Sequence, residues 1–332
     1  MRNSAEQAHI VHSEYDTVFL HRHDVEHEDM RRLYENAKRD QWNAAKDIDW
    51  SRPVDPEQGF MADELIDIYE TEYWRKMNAK ERAEMNRLFS AWRLSQLFHG
   101  EHAAVLVCSQ LANVLPDADA KFFMATQVMD EARHTEFFQR YLGGRVGQTY
   151  PQAETGRELF DFILTDPRWY IKTIGLQLVG ETFAVALFKM LAETARDELL
   201  RYGCQLILRD ESRHMGFGML SLPEQVQAMS ANERREMEDF TLHFLHGTLT
   251  GGFPKEAYLD MGFNNAEVEN IRTLRRDRAQ SGDYVVFRQL FKREMHSTLV
   301  HNLFRCGVLS QNIRDRLEGD LRVDVAGNLP SS

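Results

Sequence analysis

Asp130-Glu131-Ala132-Arg133-His134 and Asp210-Glu211-Ser212-Arg213-His214 spell one pattern, D-E-x-R-H, twice. The repeat extends upstream, because Gly100-Glu101 precedes the first copy and Gly180-Glu181 the second, in the same register. A glutamate and a histidine three positions apart share one face of an α-helix, so each copy presents a carboxylate and an imidazole together. The leading glutamate stands equally far ahead in both copies, from 101 to 131 and from 181 to 211, and the midpoints fall at Pro116 and Arg196. Folding each segment into an antiparallel helical hairpin brings Glu101 opposite Glu131 and His134, and Glu181 opposite Glu211 and His214.

Working outward, helical periodicity dominates from about Asp29 onward, and only eight prolines interrupt the chain, so the expected fold class is all-α. One helix is expected from about Ala79 to Leu115, with Leu88, Trp92, Ser95, Leu97, Ala104 and Leu111 along its inner faces, ended by Pro116-Asp117. A second runs from about Asp119 to Leu142, with Gly143-Gly144 as its stop. The arrangement returns over about Arg168 to Glu193 and Asp197 to Leu220, with Pro223 as the terminator. The division this suggests is an arm with flanking helices over 1–78, the bundle over 79–220, and further amphipathic helices over 221–332. That last part is broken near Gly251-Gly252-Phe253-Pro254 and Ser281-Gly282.

Of the 332 residues 43% are hydrophobic, enough for a substantial core without disulfides. Cys108, Cys204 and Cys306 never form a paired spacing, and read as reduced thiols of a cytoplasmic protein. A net charge of −12 argues against nucleic acid and anionic membrane surfaces as partners. The opening MRNSAEQAHIVHSEYD lacks a basic start followed by an apolar run, so secretion is not expected. The stretch from Trp169 to Leu191 is long enough to span a bilayer but contains Lys172, Glu181 and Lys189, which suits a buried core helix. His9, His12, His21, His23 and His27 read as a solvated, partly ordered arm rather than a metal site.

Glu101 and Glu181 sit in apolar stretches, and burying four unpaired carboxylates would cost several kcal/mol each. Two divalent cations would balance them and leave the imidazoles neutral. Six oxygen- and nitrogen-bearing ligands without a thiolate suit iron or manganese. The expected metal ligands are therefore Glu101, Glu131, His134, Glu181, Glu211 and His214. Asp130 and Asp210 are expected to accept the other imidazole N–H of the ligating histidines, with Arg133 and Arg213 neutralising them.

At these motifs the chain resembles the ferritin-like di-iron carboxylate superfamily, particularly bacterial multicomponent monooxygenase hydroxylase subunits and ribonucleotide-reductase-like oxidases. Gln127-Val128-Met129-Asp130-Glu131-Ala132-Arg133-His134 is close to the hydroxylase pattern, and Gln41 through Trp50 looks like the segment that precedes the bundle in such proteins. The resemblance covers about Tyr34 to Leu220 and implies a ferritin-like four-helix bundle with the same six ligands. The threonine found in many of the monooxygenases one turn after the third glutamate is Val185 here, so a hydroxyl role in proton delivery does not carry over. Arylamine N-oxygenases of the superfamily are similar in chain length. Their extra histidine ligand is absent, with Ile207 one turn before Glu211 and Gln127 one turn before Glu131, so the ligand set does not favour N-oxygenation.

The expected function is dioxygen activation at two iron ions, with a manganese–iron pair as the alternative, to hydroxylate or N-oxygenate a small hydrophobic or aromatic substrate. Projecting one turn from each ligand gives a pocket of Ala104, Val105, Phe138, Ala184, Val185, Phe188, Phe217 and Gly218, with Gln177 as a polar contact. An electron-donating reductase or ferredoxin and a homodimeric assembly are the expected partners. The alternatives are a fatty-acyl desaturase or other ferritin-like oxidase and, in another class, an iron-storage protein, against which the length flanking residues 79–220 argues.

Overall fold

The computed structural model describes residues 9–21, 27–55, 57–250, 252–281, 296–310 and 313. Its long helices are α1 (Glu28–Arg39), α2 (Ala79–Val114), α3 (Ala118–Tyr141), α4 (Glu154–Thr165), α5 (Trp169–Thr194), α6 (Glu198–Ala228), α7 (Ala231–Thr250) and α8 (Asn265–Ser281). No strand occurs among the described residues. The fold is all-α, as the periodicity implies.

Local chemistry sets where the bundle helices begin. Asn78 accepts from the Glu81 amide while the Glu81 carboxylate takes the Asn78 N–H, a reciprocal cap that starts α2. Asp117 accepts from Ala120 N at 2.6 Å and Asp197 accepts from Leu200 N at 2.9 Å, so α3 and α6 open on the same residue type. These two caps keep the register that relates Glu131 to Glu211, and the repeat includes its helix starts.

The hairpins α2–α3 and α5–α6 join through α3 against α6, and α1 lies across the outside of that pair. Gly203 permits the approach of α6 to α3, because a Cβ there would lie 2.1 Å from the Phe137 ring. The apolar core forms two clusters along the bundle. One holds Leu111, Phe123, Leu178 and Phe217, the other Phe89, Phe138, Phe188 and Leu199, and the buried carboxylates and imidazoles lie between them along each helix.

Several features depart from the sequence pattern. Gly143-Gly144 do not stop the winding after α3, which continues as a π-helical turn over Leu142–Val146 and ends at Gly147, whose φ is 77°. Pro223 does not end α6, which continues to Ala228 and past residue 220. A proline there forfeits one ladder bond, and burial of Leu222 and Val226 in the core offsets the loss. Within α5, Ile174–Gly180 winds as a π-helix directly ahead of Glu181, so this segment follows a wider repeat than helical periodicity assumes. Lys172 is buried, its ammonium donating to Gln110 Oε1 and the carbonyls of Ile163 and Leu164. Helix α5 is long and apolar enough to cross a membrane, but 67% of its most apolar window is buried inside the protein, as befits a core helix. Among the arm histidines, His9 bonds Asp161 at 2.9 Å. His23, Gly251 and Gly282 lie outside the described residues.

Candidate metal centre

The N-cap registers place Glu131 and His134 on α3 at the height of Glu211 and His214 on α6, with Glu101 on α2 and Glu181 on α5 completing the layer. All six side chains are buried. Glu101, Glu131, His134 and Glu211 bring one ligand atom each within 4.8 Å of one another, and so do Glu131, Glu181, Glu211 and His214. The two groups share Glu131 and Glu211. Two overlapping sets of three carboxylates and one imidazole match two ions with two glutamates between them.

Imidazole orientation supports the same geometry. His134 Nδ1 lies 3.1 Å from Glu101, 3.3 Å from Glu131 and 3.0 Å from Glu211, while its Nε2 faces Asp210 Oδ2 at 3.1 Å. His214 Nδ1 lies 3.2 Å from Glu131 and 3.0 Å from Glu211, while its Nε2 faces Asp130 Oδ2 at 3.2 Å. Each Nε2–H donates to an aspartate, so both Nδ1 lone pairs point into the cluster. The partnership crosses the repeat: the aspartate beside Glu211 holds His134, and the one beside Glu131 holds His214.

Around these aspartates lies an electrically balanced layer. Arg133 Nη2 donates to Asp130 at 2.5 Å and Asp210 at 3.2 Å. Arg213 Nη2 donates to Asp210 and lies 3.5 Å from Asp130. Trp42 Nε1 donates to Asp210 Oδ2 at 2.7 Å, and Gln41 Nε2 donates to Asp130 Oδ1 at 3.1 Å. Two carboxylates meet two guanidiniums, which leaves the four glutamates for cations to balance.

The titration directions carry the same message. Burial, then the charge of Glu211, pushes Glu101 and Glu181 well above the usual carboxylate range. Against burial, and for Glu211 also against the charge of Glu131, the imidazoles hold Glu131 and Glu211 below it. His134 and His214 are driven well up, against their burial, by the carboxylates they touch. Dications in the cluster would push all six groups down, so metal binding would release protons. Glu211 Oε1 lies 3.0 Å from His134 Nδ1, so it too faces the cluster. The donor set fits two hard or borderline divalent ions.

The expected lining is brought near this layer unevenly. Phe138 is buried with its ring 6.0 Å from Phe188. Phe217 stacks at 5.2 Å on Phe123, which lies edge-on to His214 at 6.4 Å. Gln177 bonds Gln127 Oε1 at 3.0 Å, and a Cβ on Gly218 would press Gln177 at 3.0 Å. Ala104 is buried, whereas Val105, Ala184 and Val185 are half-buried. The sequence reading missed Phe123. It also missed what Gln127 does: its Nε2 donates to Glu131 at 3.0 Å and Glu181 at 2.9 Å. The i,i+4 spacing of Gln127 and Glu131 was the available signal.

The family model described as p-aminobenzoate N-oxygenase AurF matches residues 23–291. The chain belongs to this family. Membership of the AurF family makes it an enzyme, a non-haem di-metal oxygenase, and sets aside the iron-storage alternative. The chain thus falls in a family described by arylamine N-oxygenation while Ile207 and Gln127 stand in the two candidate positions for the extra histidine. Solved structures show the same fold. An R2-like ligand-binding oxidase variant with an anaerobically reconstituted Mn/Fe cofactor superimposes with a TM-score of 0.53 at 19% identity, covering 87% of this chain and 95% of that one. An R2-like ligand-binding oxidase with aerobically reconstituted metal cofactor gives 0.52 at 20%, with the same coverage. No curated protein sequence matches the chain.

Proposed function

We propose that this AurF-family chain activates dioxygen at two metal ions held by Glu101, Glu131, His134, Glu181, Glu211 and His214, and oxidises the nitrogen of a small aromatic amine. The observation that carries the reading is the sharing of Glu131 and Glu211 between two ligand groups, in a family described by arylamine N-oxygenation. When bound, two iron ions, or manganese and iron as in the solved oxidase, supply the redox equivalents and the sites for dioxygen.

The protein's own residues hold and shield that chemistry. Glu131 and Glu211 would lie between the ions, with Glu101 and His134 on one and Glu181 and His214 on the other. Asp130 and Asp210 fix the imidazole tautomers from outside. The pairs Phe138–Phe188 and Phe123–Phe217 flank the layer with aromatic surface, which excludes water and suits a flat apolar substrate. Ala104, Val105, Ala184, Val185 and Gly218 supply small or aliphatic wall, and Gln177 a polar contact. Electrons would come from an external reductase or ferredoxin.

Carbon hydroxylation is the second reading, favoured by the absence of the extra histidine of the arylamine N-oxygenases from both candidate positions, where the buried Ile207 and Gln127 stand. Supplying reduced, iron-loaded protein with dioxygen and p-aminobenzoate separates them by product mass and structure. Oxygen uptake coupled to hydroxylamine, nitroso or nitro product supports N-oxygenation, and ring-hydroxylated product supports the second reading. Uptake that is indifferent to every aromatic tested would contradict both.

A further inference from the structure

A cavity of about 610 Å³ opens where α5 gives way to α6, and it shares no residue with the metal cluster. Arg52, Arg145, Arg196 and Arg201 line it. Arg145 is the telling one, because its side chain is only 6% exposed. Its Nη1 donates to the Arg52 carbonyl at 2.8 Å. Its Nε, 3.8 Å from Asp197, is buried without a hydrogen-bond acceptor among the described residues. Arg52 is held only loosely, at 3.7 Å from both Asp49 and the exposed Glu198, and Arg201 lies 3.6 Å from Glu198.

The same wall contains the start of α6, a helix of 31 residues. Asp197 takes the Leu200 N–H, which leaves the first-turn amides of Glu198 and Leu199 without an acceptor among the described residues. Unpaired amides at a helix start attract anions, and the guanidinium fork matches phosphate oxygens two at a time. Of the acidic groups lining the cavity, Asp55 accepts from the Glu57 and Gln58 amides and Asp197 caps the helix, while Glu198 is the exposed carboxylate a phosphate would displace from Arg52 and Arg201.

We propose that this cavity binds a phosphate ester of about mononucleotide size. Three guanidiniums (Arg52, Arg145 and Arg201) and two amides would receive the phosphate, since Arg196 is committed to Asp63 at 2.9 Å and the Gln58 carbonyl at 3.0 Å. Pro53, Val54 and Leu199 give the organic portion an apolar wall. The volume lies within the roughly 300–1,000 Å³ usual for small-molecule sites and far exceeds one inorganic phosphate.

Calorimetric titration of the metal-loaded full chain with adenosine monophosphate, adenosine and inorganic phosphate tests the proposal. Adenosine monophosphate should bind saturably at one per chain, inorganic phosphate at least tenfold more weakly, and adenosine without measurable heat. The double variant Arg52→Gln/Arg201→Gln changes exposed side chains and should raise Kd at least tenfold with unchanged metal content and melting temperature. Arg145→Gln should abolish binding where it folds. Adenosine monophosphate giving no saturable heat, or an unchanged Kd in the double variant, overturns the site. Adenosine or inorganic phosphate binding as tightly as the monophosphate overturns the ligand class.

Discussion

Asp210→Asn changes one atom type and tests the crossed support of the histidines. In the wild type, Asp210 Oδ2 accepts from His134 Nε2 at 3.1 Å, Trp42 Nε1 at 2.7 Å and Arg133 Nη2 at 3.2 Å, and its Oδ1 accepts from Arg213. An asparagine must turn its NH2 toward one of these donor sets. If its carbonyl stays on His134, the amide faces Arg213; if it turns, His134 loses its acceptor. Either way two guanidiniums share one carboxylate, Asp130, in a buried layer. Removing one member of a buried ion pair costs about 3–5 kcal/mol, and the remaining Asp130 contacts place the expected loss toward the lower end, about 3 kcal/mol. Loss of a carboxylate behind a metal-ligating histidine typically weakens metal affinity about 10–100-fold. The loss should fall on the ion bound by His134, because His214 keeps Asp130. Urea unfolding and stepwise Fe(II) titration of the variant check both parts. Equal weakening of both ions, or stability within about 0.5 kcal/mol of wild type, would refute the crossed arrangement.

Gly203→Ala should destabilise by about 1–3 kcal/mol through overpacking, since the new Cβ would lie 2.1 Å from Phe137; denaturant unfolding reads it, and a simultaneous Phe137→Leu should recover part of the loss. Phe138→Ala opens the aromatic pair with Phe188 beside the metal layer and should shift product distribution, whereas unchanged substrate range and regioselectivity would sink the pocket assignment. No long-lived tyrosyl radical should follow oxygen exposure. Phe138 occupies the position one turn after His134, and Tyr141 lies one turn further on, where burial and then the charge of Asp197 push the phenol well above its usual range. Electron paramagnetic resonance showing a stable, near-stoichiometric tyrosyl signal would move the chain to a radical-generating class.

Much of the bundle was legible because helical spacing is local information. The internal repeat placed Glu101, Glu131, His134, Glu181, Glu211 and His214 on four helices at one height, and the structure gathers all six. Spacing reports which face a residue occupies, however, and not which neighbouring helix receives it. Hence the repeat suggested Asp130 and Asp210 as supports but not the exchange by which each serves the other copy's histidine. The partners that complete the layer, Gln41 and Trp42, come from ahead of the bundle, and only the packing of α1 across α3 and α6 brings them there. The run through Pro223 was illegible for a related reason: a local breaker was outweighed by the tertiary burial of Leu222 and Val226. The π-helical turn of Ile174–Gly180 leaves no plain mark in apolar spacing, although it aims Gln177 at Gln127.

In the proposed function, one two-metal site holds both ions and they share Glu131 and Glu211. Metal content per chain, measured by inductively coupled plasma spectrometry on the purified wild type, Glu131→Ala and Glu211→Ala after identical loading and dialysis, addresses it most directly. Two ions per chain are expected in the wild type, and in each variant loss of both or a poorly occupied site, because each glutamate serves both ligand groups. Two ions per chain at full occupancy in both variants would contradict it.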